Sequence, residues 1–171
     1  MAPYAAQGVL VLFAMNLGIG FGAGLYELRI VFPQWLETTT AADGSKKKVW
    51  NTDAVLRFDV GKRFWAFIGT GPLTLLTLTS AYMAPKVGNP SSQFWLMAVT
   101  ITIIERMMTF TYFIPTMISL GSQPGVVSDP KVIEKAERWG KMNFVRLGLS
   151  FAGWFLAMQA VLNYQRSEGL L

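Results

Sequence analysis

Four ionisable side chains stand inside stretches apolar enough to cross a lipid bilayer: Glu27, Glu105, Arg106 and Arg146. A charge at the centre of a membrane helix costs about 2.5–3.5 kcal/mol or more unless it is partnered. Two acids and two guanidiniums can neutralise one another, and they can also do chemistry. A carboxylate released from its partner takes a proton, and a guanidinium steadies a developing oxyanion. Tyr112 and Asn143 bring a phenolic donor and an amide to the same helical faces. The chain has no cysteine and no histidine. That excludes disulfides, thiolate catalysis, zinc triads, His-ligated haem and Ser-His-Asp catalysis. No metal and no cofactor is expected.

An α-helix rises about 1.5 Å per residue, so counting inward from the basic end of each stretch gives a depth. Glu27, Thr70, Tyr112 and Arg146 share one layer about 10–12 Å in. Asn143 lies a turn nearer the surface, and Glu105 and Arg106 lie about 20 Å in. The expected contacts are Glu27 with Arg146, Tyr112 donating to Glu27, and Arg106 reaching either Glu27 or Glu105.

The elements that must hold these groups are helices. Residues 95–120 are greasy on most sides, yet Ala98, Thr102, Glu105, Thr109, Tyr112 and Thr116 recur in steps of four and three. The same mixed polar and small stripe returns three times. It reads Asn16, Gly20, Ala23, Glu27, Ile30, Gln34 in the first span and Arg63, Phe67, Thr70, Thr74, Thr77, Ala81 in the second. In the last span it reads Trp139, Asn143, Arg146, Ser150, Gly153, Ala157, Ala160. The spans predicted are about 5–35, 60–82, 94–120 and 139–164. The first is too long for a signal-peptide core and is expected to be retained. Gly18, Gly20, Gly22 and Gly24 within it offer small-xxx-small packing pairs. Pro72 and Pro115 leave the carbonyls of Ile68 and Thr111 without a helical donor, so bends are expected there.

The composition agrees. The 171 residues are 52% hydrophobic and 15% charged with a mean hydropathy of +0.37, too apolar for an ordinary soluble domain. Residues 36–59 form the one long loop, where an Asp43-Gly44 turn before Lys46 to Trp50 signals a hairpin. Asp53 and Asp59 look like helix N-caps. Asp129-Pro130 opens a charged turn that runs into the fourth span. Trp35, Trp50, Trp65, Trp95 and Trp139 fall near span ends, as an aromatic belt does. The fold expected is all-α: one domain over 1–171, an integral membrane antiparallel four-helix bundle with a short hairpin-like loop between helices 1 and 2.

The basic residues set an orientation. Lys46, Lys47, Lys48, Arg57, Lys62, Arg63, Lys131, Lys135, Arg138 and Lys141 lie on one side, against Lys86 and Arg166 on the other. By the positive-inside rule both termini are outside and the hairpin is cytoplasmic. The net charge of +5 is spread along these flanks and forms no nucleic-acid patch.

Several blocks carry a resemblance: GLYELRIVFPQW, RFWAF before a proline-bearing span, ERMMTFTYFIPTM and RWGKMNFVR. Tyr112 to Thr116, and Arg138-Trp139 with Asn143 and Arg146, are the most specific. Span by span the chain resembles a family of small four-span bacterial membrane proteins without an assigned activity, which implies an inner-membrane location. Fungal proteins grouped with that family include anthrone oxygenases, which add oxygen without an evident cofactor. A catalytic histidine of such an enzyme has no counterpart here.

Two accounts of the seam formed by Glu27, Glu105, Arg106, Tyr112, Asn143 and Arg146 stay open: a network that fixes helix register, or a site. As a site it fits a protein that binds a small lipophilic molecule or serves as an accessory subunit of a membrane complex. A cofactor-independent, anthrone-oxygenase-like enzyme is the second reading, with Glu27 or Glu105 as base and Arg106 or Arg146 on the enolate. An oligomeric channel or transporter subunit is the third. The partners implied are the bilayer, a small lipophile, and further copies of the chain or a larger membrane complex, but not nucleic acid.

Overall fold

A computed structural model describes residues 3–40 and 43–169. It is a membrane four-helix bundle. Helices α1 (Tyr4–Trp35), α3 (Gly61–Lys86), α4 (Ser91–Gly121) and α5 (Pro130–Ser167) are each long and apolar enough to span a bilayer. A short helix α2 (Thr52–Phe58) precedes α3. Strands β1 (Leu36–Thr40), β2 (Lys46–Asn51) and β3 (Val126–Val127) form an antiparallel sheet in the order β1-β2-β3 at one end. The links from α3 to α4 and from α4 to α5 are short, so these neighbours run antiparallel, while the longer link from α1 to α3 carries β1, β2 and α2. The last helix packs closely on both α1 and α4, while α3 closes the ring more sparsely against the same two.

The hairpin forms where the Asp-Gly signal places it, with Leu36 opposite Trp50 and Thr40 opposite Lys46. Gly44 takes a positive φ of 79°, and the Asp43 carboxylate accepts from the Ser45 backbone N–H at 2.9 Å. Hydrogen bonds from the Ser45 side chain first, and from this backbone N–H second, hold the Asp43 carboxyl below its ordinary range. The third strand has no sequence signal, because two residues are too short for a period. It adds to the exposed edge of β2 at Trp50 and Asn51.

Two caps differ from expectation. The first turn of α2 is capped by Asn51, whose side chain accepts from the Ala54 N–H at 2.9 Å, and not by Asp53. Asp59 closes the end of α2 in a left-handed conformation, with φ at 42°, while its carbonyl accepts from Arg63 to start α3. The charged turn expected at Asp129-Pro130 does open α5, and the Asp129 carboxylate caps it by accepting from the Lys131 N–H.

The tryptophans differ too. Trp35, Trp50, Trp95 and Trp139 are buried and do not form a lipid-facing belt. The sheet and loops fold over the basic end and enclose three of them. There the Trp50 indole donates to the Leu120 carbonyl at 3.0 Å, and Phe32 stacks on Trp139. Of the glycines in α1, Gly18 and Gly24 take the close approach, against Trp154 and Leu147, whereas Gly20 and Gly22 meet nothing within 4 Å.

The core divides in two. Leu10, Phe13, Leu17, Trp95 and Ala157 fill the end that carries the termini. Val31, Trp35, Trp50, Phe113 and Leu120 fill the end under the sheet. The polar seam lies between them.

Candidate functional site

Three of the four spans are not regular helices. Each widens to a five-residue hydrogen-bond repeat just before a proline. The Phe32 N–H donates to Glu27, ahead of Pro33; that of Gly71 to Ala66, ahead of Pro72; and that of Ile114 to Thr109, ahead of Pro115. A proline lacks the N–H for the carbonyl four back and crowds it with its ring, and a wider turn relieves both. The widened segments cover Glu27–Val31, Gly61–Thr70 and Thr109–Phe113. Such turns gather at functional sites in helical proteins.

Widening shifts which residue faces inward. Past Glu27 the buried positions of α1 are Val31 and Trp35, and the expected Ile30 and Gln34 face out. In α3 the inward residues are Gly69, Leu73, Thr77 and Ser80, while Phe67 of the expected stripe is exposed. In α4 Phe113 is buried and Tyr112 is only partly so. The last span has no proline beyond its first turn, and its stripe holds throughout.

The seam contains two ion pairs. The Arg146 guanidinium donates to Glu27 Oε2 at 3.3 Å, and the Trp65 indole N–H donates to Glu27 Oε1 at 2.9 Å. Arg146 is wedged between aromatic faces, 4.5 Å from the Phe113 ring centre and 5.2 Å from that of Trp65. The second pair is local to α4. Arg106 Nη2 donates to Glu105 at 3.1 Å, and Nη1 crosses to α3 and donates to the Gly69 carbonyl at 2.8 Å. That carbonyl belongs to a widened turn, where a backbone oxygen is free to leave the helix ladder. Asn16 uses another: its Nδ2 donates to the Ile68 carbonyl that Pro72 strands, at 3.3 Å.

Glu105, Arg106 and Arg146 border one chamber with Asn16 and Asn143, and Glu27 stands behind Arg146. It has about 10 Å³ of free room, the threshold for one water. Of seven buried polar side-chain atoms without a hydrogen-bond partner among the described residues, three belong to residues that line this chamber: Asn16 Oδ1, Arg106 Nε and Asn143 Nδ2. Their residues come from three different helices. Outside the chamber, between α3 and α4, a second cavity of about 320 Å³ is lined by Thr74, Thr77, Ile103, Met107 and Phe110 among others. Among the described residues Arg106 alone borders both.

The structure thus brings together five of the six residues expected in the seam. Glu27 meets Arg146 as expected, and Arg106 takes Glu105. Tyr112 stands apart: it packs edge-on against Phe113 within the cluster under the sheet. The donor to Glu27 is Trp65, which its place near a span end disguised. The Gly69 carbonyl was also missed, since a backbone acceptor carries no sequence signal beyond the nearby proline.

What such a site can do follows from its charges. Two acids and two arginines balance, so the empty seam is neutral. An incoming acceptor oxygen meets donors on Arg106 and Asn143, and an anion keeps the balance if one proton enters with it.

A family model described as anthrone oxygenase matches residues 56–156. The matched stretch holds Trp65, Glu105, Arg106, Asn143 and Arg146, and ends within α5; Glu27 lies outside it. No curated protein and no solved structure matches the chain.

Proposed function

The chain belongs to the anthrone oxygenase family, and from that premise we propose that it binds a small lipophilic molecule by its polar end, at the intramembrane seam. The observation that carries this reading is the incomplete pairing of Asn16 Oδ1, Arg106 Nε and Asn143 Nδ2 around one chamber. A network that only fixed register would gain by satisfying every member, because an unpaired buried polar group costs about 1–3 kcal/mol. Groups that await a ligand carry that cost in the empty protein. The protein sits in the bacterial inner membrane with both termini outside and its hairpin in the cytoplasm, as the basic flanks direct.

The family match favours a second reading, a cofactor-independent oxygenase. Glu105 then takes the proton of a weakly acidic substrate, and Arg106 holds the resulting oxyanion. Dioxygen uptake on adding a phenolic lipophile separates turnover from binding.

The test of binding uses Asn143, which is 1% exposed. Asn143→Leu removes an unpaired donor at similar size. The ligand-free protein should melt at or above the wild-type temperature. The stabilisation that wild type draws from co-purified lipophiles, by mass action, should disappear. Melting curves before and after exhaustive lipid extraction read both effects. If extraction leaves wild type unmoved, there is no bound lipophile and the proposal falls.

A further inference from the structure

We infer that the ligand reaches the seam sideways from the bilayer, through the cleft between α3 and α4, and that it is a slim amphiphile with one anionic or acceptor oxygen. The inference rests on the binding function proposed above and adds the route and the ligand class. Four observations support it.

The first is size. The cleft holds about 320 Å³, at the small end of the about 300–1,000 Å³ typical of ligand sites. One chain or a small ring system fits, and a two-chain lipid does not. The second is lining. Leu78, Ile103, Met107 and Phe110 give an apolar wall, and all four are exposed on the bundle's outer face, where the hydrocarbon lies. The occupant's body is therefore apolar and arrives from lipid.

The third is the floor. Arg106 borders the cleft and the inner chamber alike, and its Nε–H has no partner. A charged donor at the base of an apolar cleft selects a head that accepts hydrogen bonds or carries negative charge. It rejects an ammonium, and it gains nothing from a plain alkane. The fourth is mechanical. The α3 helix is the most sparsely packed of the four spans, and its first ten residues are widened. Where α3 meets α4 in this region, Arg106 and the Gly69 carbonyl form the polar tie. An acceptor on the ligand can take over one of these guanidinium hydrogens without uncovering a charge.

The test measures binding of decanoate, decyltrimethylammonium and decane by thermal melting in phosphatidylcholine nanodiscs. Thr74→Trp and Met107→Trp plug the cleft from its two walls, and Val145→Trp places the same bulk on a lipid-facing position of α5. Decanoate should stabilise wild type and Val145→Trp, and its affinity should fall at least about tenfold in each plugged variant. The other two probes should be inert. Undiminished decanoate binding in both plugged variants overturns the lateral route while leaving the seam as a binding site. Equal stabilisation by decane overturns the head-group assignment. Extraction that destabilises wild type, with decanoate unable to restore it, overturns the ligand class alone. If extraction leaves wild type unmoved, the binding function itself fails, and the route with it.

Discussion

Glu27 accepts from two side chains on two other helices, one on each carboxylate oxygen. Its removal therefore strands the largely buried Arg146 guanidinium between two aromatic rings without its counter-charge. Breaking a buried pair from one side typically costs about 3–5 kcal/mol. Glu27→Gln and Arg146→Met should each lose stability on that scale, and the double variant should lose clearly less than the sum. Additive losses in chemical or thermal melts would mean that the two side chains do not depend on each other. This pair was legible in the sequence because hydrocarbon forces a charge to find a partner, and equal depth on facing stripes names it. Trp65 was not legible. An indole near a span end reads as an interface anchor, and only the folded chain shows its N–H turned inward to the carboxylate.

At the scale of the helix, proline chemistry decides where the stripes can be trusted. Each widened turn advances the inward face by a residue, which is why Phe113 lies where Tyr112 was expected and Val31 where Ile30 was. Periodicity assumes a constant repeat, so it reads α5 throughout and fails in α1, α3 and α4 beside Pro33, Pro72 and Pro115. The stranded Ile68 carbonyl gives a direct test. Asn16→Leu removes its donor and should cost about 1–3 kcal/mol. In a Pro72→Ala background residue 72 regains an N–H for the same carbonyl. The cost of Asn16→Leu should then shrink. An equal cost in both backgrounds would show that Asn16 acts through something other than that carbonyl.

For the whole molecule the governing asymmetry is one of charge. Lysine and arginine crowd the sheet end of the bundle, and the opposite end carries few. A chain without cysteine permits a clean assay. Ser45 is exposed in the hairpin turn, and Ser45→Cys gives up its side-chain hydrogen bond to Asp43 but keeps the backbone N–H that the carboxylate also accepts. That cysteine should resist an impermeant maleimide in intact cells and label after lysis; labelling before lysis would invert the bundle. The four-span architecture and the side of the bundle that carries the hairpin were plain from hydropathy and basic flanks. The third strand, the burial of the tryptophans and the lateral cleft were not. Each depends on segments far apart in the chain folding over one another, which no local pattern encodes.

The sheet that closes the basic end also sets an order of assembly. Its middle strand completes its pairing only with Val126 and Val127, which follow Trp50 and Asn51 by more than two whole spans. A nascent chain that has placed α1 and α3 in the bilayer still shows the unpaired edge of β2 at the basic end of the bundle. Trp50 likewise waits for the Leu120 carbonyl to receive its indole N–H. The first helical pair therefore enters the membrane as an unfinished half, with its hairpin an open hook for chaperones or stray strands. Only synthesis of the loop before α5 fastens it.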